Sequence, residues 1–214
     1  EAAALFREAV LKLSYAFVPL TLLLMAAAPE VIGALFTSRY LEAAPIFRVA
    51  VAAGILACLP IEGALRARGQ TKHIFLSFAL KAVVTVPLAL YGVARFGMLG
   101  GIGSWLAAEA IGKAALFARL PRALGTRARE LLPWRGLLRP GLAAAAALVG
   151  VYGVRALAPA SLHLFVVLGL ATMAYGFIYL GALAALGVRP LRRRDGQESR
   201  VESRESTTQA SAGP

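Results

Sequence analysis

Residues 73–120 read HIFLSFALKAVVTVPLALYGVARFGMLGGIGSWLAAEAIGKAALFARL, two long apolar runs separated by a glycine-rich segment. A helix needs about 20 mostly apolar residues to cross about 30 Å of hydrocarbon, and each run is long enough. Glycines between such runs are typical of a tight turn into a closely packed helix. The stretch therefore predicts two antiparallel transmembrane helices, 73–94 and 98–120.

Four further stretches of the chain are long and apolar enough to span a bilayer. They are residues 13–36, 44–65, 140–158 and 162–188. Pro19 and the pair Pro29 and Glu30 predict a kink in the first of them, followed by a final turn near the interface. Most connections are short, so consecutive helices should be antiparallel neighbours. The predicted fold class is all-α, a polytopic transmembrane helical bundle of about six spans.

The composition argues against a soluble enzyme domain. Of the 214 residues, 59% are apolar and 16% are charged, whereas soluble domains are about half apolar and a quarter charged. Cys58 is the single cysteine and His73 and His163 are the two histidines, so we expect no disulfide framework, no metal site and no cofactor. No nucleophile elbow or phosphate loop occurs, and we expect no enzymatic activity.

The basic residues are unevenly distributed between alternate loops. The chain carries a net charge of +12, and seventeen of its 23 basic residues flank the spans on one side. Basic flanks stay in the cytoplasm, so both ends of the chain are predicted to be cytoplasmic. Residues 121–139 read as a basic amphipathic cytoplasmic linker on an anionic leaflet, and residues 189–214 as a disordered tail. Because the basic linker lies between two spans, nucleic-acid binding is not expected.

Five ionisable side chains inside the apolar runs are candidates for a functional role, because a charge costs about 2.5–3.5 kcal/mol near a helix centre. They are Arg48, Glu62, Lys81, Glu109 and Lys113. Arg48 is close enough to the outer end of its helix to reach the interface. Glu62 precedes Arg66 by four residues, the spacing of an ion pair within one helix. Glu109 precedes Lys113 by the same interval. Alternatively, these side chains line a hydrophilic cavity, and the sequence leaves both interpretations open.

Motifs in three stretches resemble the multidrug, oligosaccharidyl-lipid and polysaccharide exporter superfamily. They are FVPLTLLLMAAAPEVIGALFTSRYLEAAPIFRVAVAAGIL (17–56), ALRARGQTKHIF (64–75) and YGVARFGMLGGIGSWLAAEAIGKA (91–114). The resemblance covers residues 1 to about 120, and the last two spans only by topology. Within the superfamily, the polysaccharide or O-antigen flippase branch is the more similar. The implied placement is the last six helices of a fourteen-helix, two-lobed transporter. Glu1 and the lack of a signal sequence agree with a fragment of this kind.

This resemblance implies a function in the bacterial inner membrane. The expected activity is flipping of an undecaprenyl diphosphate sugar from the inner to the outer leaflet, by alternating access coupled to a sodium ion or a proton. Lys81, Lys113 and Arg48 are the candidate ligands of the diphosphate, and Glu109 and then Glu62 are the candidate coupling carboxylates. The implied partners are the bilayer, the lipid-linked oligosaccharide and the N-terminal half of the transporter. A polysaccharide polymerase or glycosyltransferases are further candidates.

Three alternative functions are weighed against this one. A drug or small-molecule exporter would favour acids and aromatic residues in its cavity, whereas the deep charges are two lysines and one glutamate. A membrane-embedded enzyme acting on the same lipid needs catalytic carboxylates or histidines at a membrane edge. The outer loops offer Glu42 alone, with His163 far along the chain. A noncatalytic assembly subunit is the third alternative.

Overall fold

The computed structural model describes residues 2–36, 38–157 and 164–187, and within these ranges the chain is helical, without a strand. The helices are α1 (Ala2–Ala26), α2 (Ala28–Phe36), α3 (Ala44–Ala57), α4 (Ile61–Ala67), α5 (Thr71–Leu124), α6 (Ala128–Leu131), α7 (Trp134–Leu157) and α8 (Leu164–Ala185), with a 3-10 helix at Ser38–Ala43. The predicted disordered tail, 189–214, lies outside the described residues, as does His163.

Five helical stretches of the described chain are long and apolar enough to cross a membrane. They are Ala2–Ala26, Arg39–Ala67, Thr71–Leu124, Trp134–Leu157 and Leu164–Ala185. The described part of the chain is therefore all-helical, and its long apolar helices indicate a multi-pass membrane protein, as the composition predicts.

Helix α5 is folded back on itself at Gly97. This residue has φ +60° and ψ −143°, a combination open in practice to glycine alone. The Ser77 hydroxyl donates to the carbonyl oxygen of Gly112 at 3.0 Å, 35 positions along the chain. Such a contact requires two antiparallel arms, which we call the first arm (71–96) and the second arm (98–124). They correspond to the two helices predicted from this stretch.

Small side chains let the two arms approach closely. Along the second arm, buried residues recur at every fourth position, at Ser104, Ala108 and Gly112, the spacing that aligns one helix face. A side chain added at Gly100 would overlap the backbone of Gly92 in the first arm. The arms therefore meet backbone to backbone, a packing typical of small-residue interfaces in membranes.

Two predicted boundaries differ from the observed ones. The first helix starts at Ala2, continues through Pro19 and breaks at Ala27, just before Pro29. Part of the linker predicted at 121–139 is helical, because α5 continues to Leu124, α6 spans Ala128–Leu131 and α7 begins at Trp134. Gly125, with φ +65°, ends α5 in the left-handed conformation that commonly closes a helix.

Helix α1 lies between two groups of helices. It packs against α3 on one side and against the α7 and α8 pair on the other, while α5 packs against α3 and α4. One apolar core joins the start of α1 to α4, both arms of α5 and α6. A second core joins α7, rich in alanine, to α8 and to the middle of α1.

Candidate functional site: a charged cluster between α4 and the two arms of α5

Four of the predicted site residues meet in one place. Lys81 of the first arm forms an ion pair with Glu109 of the second arm. Lys113, one turn along the second arm, lies 3.5 Å from the carboxylate of Glu62 in α4. All four border the same cavity, and we call them the charged cluster. Their side chains are only 13–28% exposed, so neither lysine faces outward from the bundle.

Gly112 makes room for Lys81 at the crossing of the two arms. A Cβ built on Gly112 would lie 3.7 Å from both Cβ and Cδ of Lys81, which means that the lysine stem runs against bare backbone. Ser77, four residues before Lys81, faces the same way and donates to the Gly112 carbonyl. The helical spacing thus aims Lys81 at Glu109 across the arm interface.

Lys113 is bound by the backbone at the break between α3 and α4. Its ammonium group donates to the carbonyl oxygen of Leu59 at 3.3 Å, in the short segment between α3 and α4 that ends at Pro60. The same carbonyl oxygen accepts from the N–H of Ile61 at 2.9 Å, so Lys113 is its second donor. Lys113 therefore supports both the backbone at the break and the carboxylate of Glu62.

Neither ion pair of the charged cluster joins two residues four positions apart on one helix. Glu62 is paired with Lys113 rather than with Arg66, whose side chain is exposed. Glu109 is paired with Lys81, 28 positions away. Sequence spacing gives neighbours on one helix only, whereas here each carboxylate binds a lysine from another segment.

The charged cluster is neutral and closed in this conformation. Two lysines and two carboxylates balance formally, and the cavity that they border has a volume of about 10 Å³. A volume of about 10–15 Å³ holds roughly one water molecule. A diphosphate therefore does not fit between these side chains until the ion pairs separate.

Arg48, the third predicted ligand of the diphosphate, lies apart from this cavity. Its Nε donates to the carbonyl oxygen of Met25 at 3.1 Å. Met25 precedes Pro29 by four residues, and proline has no N–H with which to bond that carbonyl. Arg48 thus supplies the donor that Pro29 lacks.

A further ion pair, between Arg155 and Glu30, lies outside the charged cluster and was not among the sequence-predicted sites. Arg155 of α7 donates from Nε to Oε1 of Glu30 at 2.6 Å, and from Nη2 to the other carboxylate oxygen. Its Nη2 also donates to the carbonyl oxygen of Ala26 at 2.6 Å. The sequence feature that could have indicated this site is Glu30 next to Pro29. A proline breaks the helix and leaves carbonyl groups without donors, and an arginine can bind both such a carbonyl and the carboxylate of Glu30.

The chemistry open to the charged cluster is exchange of counterions. Within the described residues, no group of three or more histidine, cysteine or acidic residues could hold a metal ion. An anion entering the cluster would compete with the carboxylates for the lysines, and a cation would compete with the lysines for the carboxylates. Desolvated contacts of this type are charge-assisted and strong.

Comparison of the chain with protein-family models finds no match, and comparisons with curated proteins and with solved structures find none either. The family resemblance described above therefore remains a prediction.

Proposed function

We propose that this chain is part of a membrane carrier that flips a lipid-linked oligosaccharide, an undecaprenyl diphosphate sugar, from the inner to the outer leaflet. In this proposal it forms the last six helices of a fourteen-helix transporter of the polysaccharide flippase branch, and it acts as a carrier rather than an enzyme. The proposal assigns the diphosphate to Lys81 and Lys113.

The observation that carries the proposal is the common orientation of the two lysines. Both reach one internal cavity from different arms of α5, although each could have been directed outward. Charges inside a membrane protein that face the bundle interior are typical of substrate and ion pathways. A phosphate-bearing lipid requires such cations at the point where its headgroup crosses.

Counterion exchange gives the proposed transport step. In the closed state, Glu109 and Glu62 neutralise the lysines. When the bundle opens, the diphosphate takes over the lysines, and the released carboxylates bind a proton or a sodium ion. The site stays close to neutral throughout, which avoids the cost of an isolated charge in hydrocarbon. Glu109 is the first candidate for coupling and Glu62 the second.

Exchanging the two members of an ion pair tests this role. Lys81→Glu with Glu109→Lys preserves the pair and the net charge but moves the cation to the second arm. We expect each single substitution and the exchange to lower flipping of a fluorescent lipid diphosphate in vesicles containing the complete transporter. Full activity of the exchanged variant would mean that the pair only holds the arms together, and would contradict the proposal.

The exposed pair Lys12 and Glu8 provides the matched control. Its members lie 2.7 Å apart and are about half exposed, so their exchange should leave flipping unchanged. Folded yield, measured in detergent for every variant, separates loss of transport from loss of structure.

The coupling role of Glu109 needs its own test. Glu109→Gln removes the ionisable group while retaining its shape, so we expect transport that no longer follows the ion gradient. If the same dependence on the gradient persists, Glu109 is not the coupling site, and Glu62→Gln is the next variant to measure.

The alternative exporter of drugs or small molecules predicts a different dependence. A hydrophobic cation would need Glu109 and Glu62 but not the lysines, so Lys81→Ala would leave its efflux intact. The four side chains are equally divided in charge, and the superfamily resemblance of the sequence favours the anionic lipid.

A further inference from the structure

An apolar groove of about 600 Å³ lies at the end of the bundle where α1 begins and α4 ends. Its walls are formed mainly by small or apolar residues, among them Ala2, Leu5, Ala9, Gly63 and Ala67. The groove shares no lining residue with the charged cluster. On α4, Glu62 borders the cluster, whereas the next residue, Gly63, borders the groove.

The groove is about two helical turns long. It follows residues 2–9 of α1 and, on the other side, Pro60 and α4, and eight helical positions span about 10 Å along the axis. The two helices run in opposite directions, so Pro60 and Ala9 lie at one end of the groove. Ala2 and Ala67 lie at the other end, near the turn between α4 and α5, and we call this the turn end of the groove.

Positive charge is concentrated at the turn end of the groove. Arg68 follows Ala67 directly and is the one charged residue among the described residues that line the groove. Arg66, Lys72 and Arg122 are exposed at the same end of the bundle. The surface thus combines an apolar floor with a single cationic end, which is the complement of an amphiphile with one anionic headgroup.

We propose that this groove binds an anionic phospholipid of the surrounding bilayer, with one acyl chain between α1 and α4 and its phosphate at Arg68. The bilayer supplies such a ligand at the right depth, since basic side chains at the helix ends lie at headgroup level. A protein helix is less suited to this surface, because the groove is only two turns long and charged at one end. The proposal requires a membrane protein but not a flippase.

Gly63 allows the groove to be filled without disturbing the core. A Cβ built at this position has no heavy atom within 4 Å, so Gly63→Leu adds bulk inside the groove and also favours the helix. Arg68→Gln removes the cation. Gly181→Leu is the matched control on α8, where a Cβ also meets open space, and Arg66→Gln is the control for charge.

The experiment measures lipid bound to the purified full chain in detergent micelles, with spin-labelled phosphatidylglycerol and phosphatidylcholine as probes. We expect immobilised phosphatidylglycerol to exceed phosphatidylcholine about fivefold, the ratio for roughly one favourable charge contact. Arg68→Gln should remove this preference, and Gly63→Leu should reduce binding of both lipids. The two control variants should bind as the parent chain does.

Several results would overturn the proposal. Unchanged binding in Gly63→Leu means that the groove is not the site, and equal losses in Arg66→Gln and Arg68→Gln indicate a diffuse basic surface. If the parent chain binds phosphatidylglycerol and phosphatidylcholine equally, the groove does not select an anionic lipid and the proposal is wrong. If Gly63→Leu loses helicity by circular dichroism, Ala67→Phe fills the same groove from an exposed position, and the same outcomes apply to it.

Discussion

The hydroxyl of Tyr179 donates a hydrogen bond to the carbonyl oxygen of Tyr15 at 2.9 Å, across 164 positions of the chain. Tyr15 precedes Pro19 by four residues, so proline removes the N–H that would bond this carbonyl within α1. Tyr175, one turn before Tyr179, donates to the carbonyl of Pro19 itself at 2.9 Å. Helix α8 therefore supplies hydrogen-bond donors to α1 at its proline, where α1 continues without a break.

Tyr179→Phe should destabilise the chain by about 1–2 kcal/mol, because a carbonyl inside the bundle is left without a donor. Pro19→Ala in the same background should recover most of that loss, since alanine restores the N–H for Tyr15. Thermal unfolding in detergent measures both changes. Tyr91→Phe, at a residue that is 61% exposed, is the control, and a failure of Pro19→Ala to compensate would contradict the assigned role.

The pair Arg155 and Glu30 should contribute more than an exposed ion pair. Arg155→Gln leaves the carboxylate of Glu30 and the carbonyl of Ala26 without their donor, so we expect a loss of about 3 kcal/mol, at the lower end of the range for buried pairs. Arg155→Gln with Glu30→Gln should cost less than the sum of the single changes.

A double-mutant cycle by thermal unfolding measures this coupling. Arg95→Gln is the control, because Arg95 is exposed and close to the turn at Gly97. Additive effects of the two single substitutions would mean that the ion pair between Arg155 and Glu30 adds no stability of its own, and would contradict the expected coupling.

The sequence predicts the apolar runs and the four residues of the charged cluster, because both are local properties, but it does not single out Glu30 and Arg155, and Arg48 is exposed. Lys81 and Lys113 are identified by their position inside spans, and the turn near Gly97 by its glycines. Partners across helices are not local. Glu62 and Lys113 are 51 positions apart, and only the packing of α4 against α5 selects this pair over Glu62 with Arg66. The same limit applies to Pro19, because the sequence does not show that the hydroxyl groups of Tyr175 and Tyr179 in α8 lie opposite it.

The close contact of the two arms of α5 predicts opposite effects for two neighbouring glycines. Gly100→Ala places a methyl group against the backbone of Gly92, so the arms must separate, at a cost of about 1–3 kcal/mol. Gly103→Ala has open space and should be neutral or stabilising by up to about 1 kcal/mol, as a better helix former. Thermal unfolding in detergent compares them, and similar effects at both positions would contradict backbone packing between the arms.

The fold of α5 also predicts which residues share a side of the membrane. Because the chain reverses at Gly97, Lys72 and Arg127 should lie on one side, and Met98, which is 77% exposed, on the other. The excess of basic residues predicts that the first side is cytoplasmic.

Single cysteines at these three positions, in a Cys58→Ser background, can be tested with a membrane-impermeant maleimide on right-side-out vesicles. We expect Met98→Cys to react at once, and Lys72→Cys and Arg127→Cys only after permeabilisation. Reaction of Lys72→Cys and Arg127→Cys from opposite sides would mean that α5 crosses the membrane once. A reversed pattern at all three positions would retain the hairpin but invert the orientation, and with it the direction in which the lysines of the charged cluster would receive a substrate.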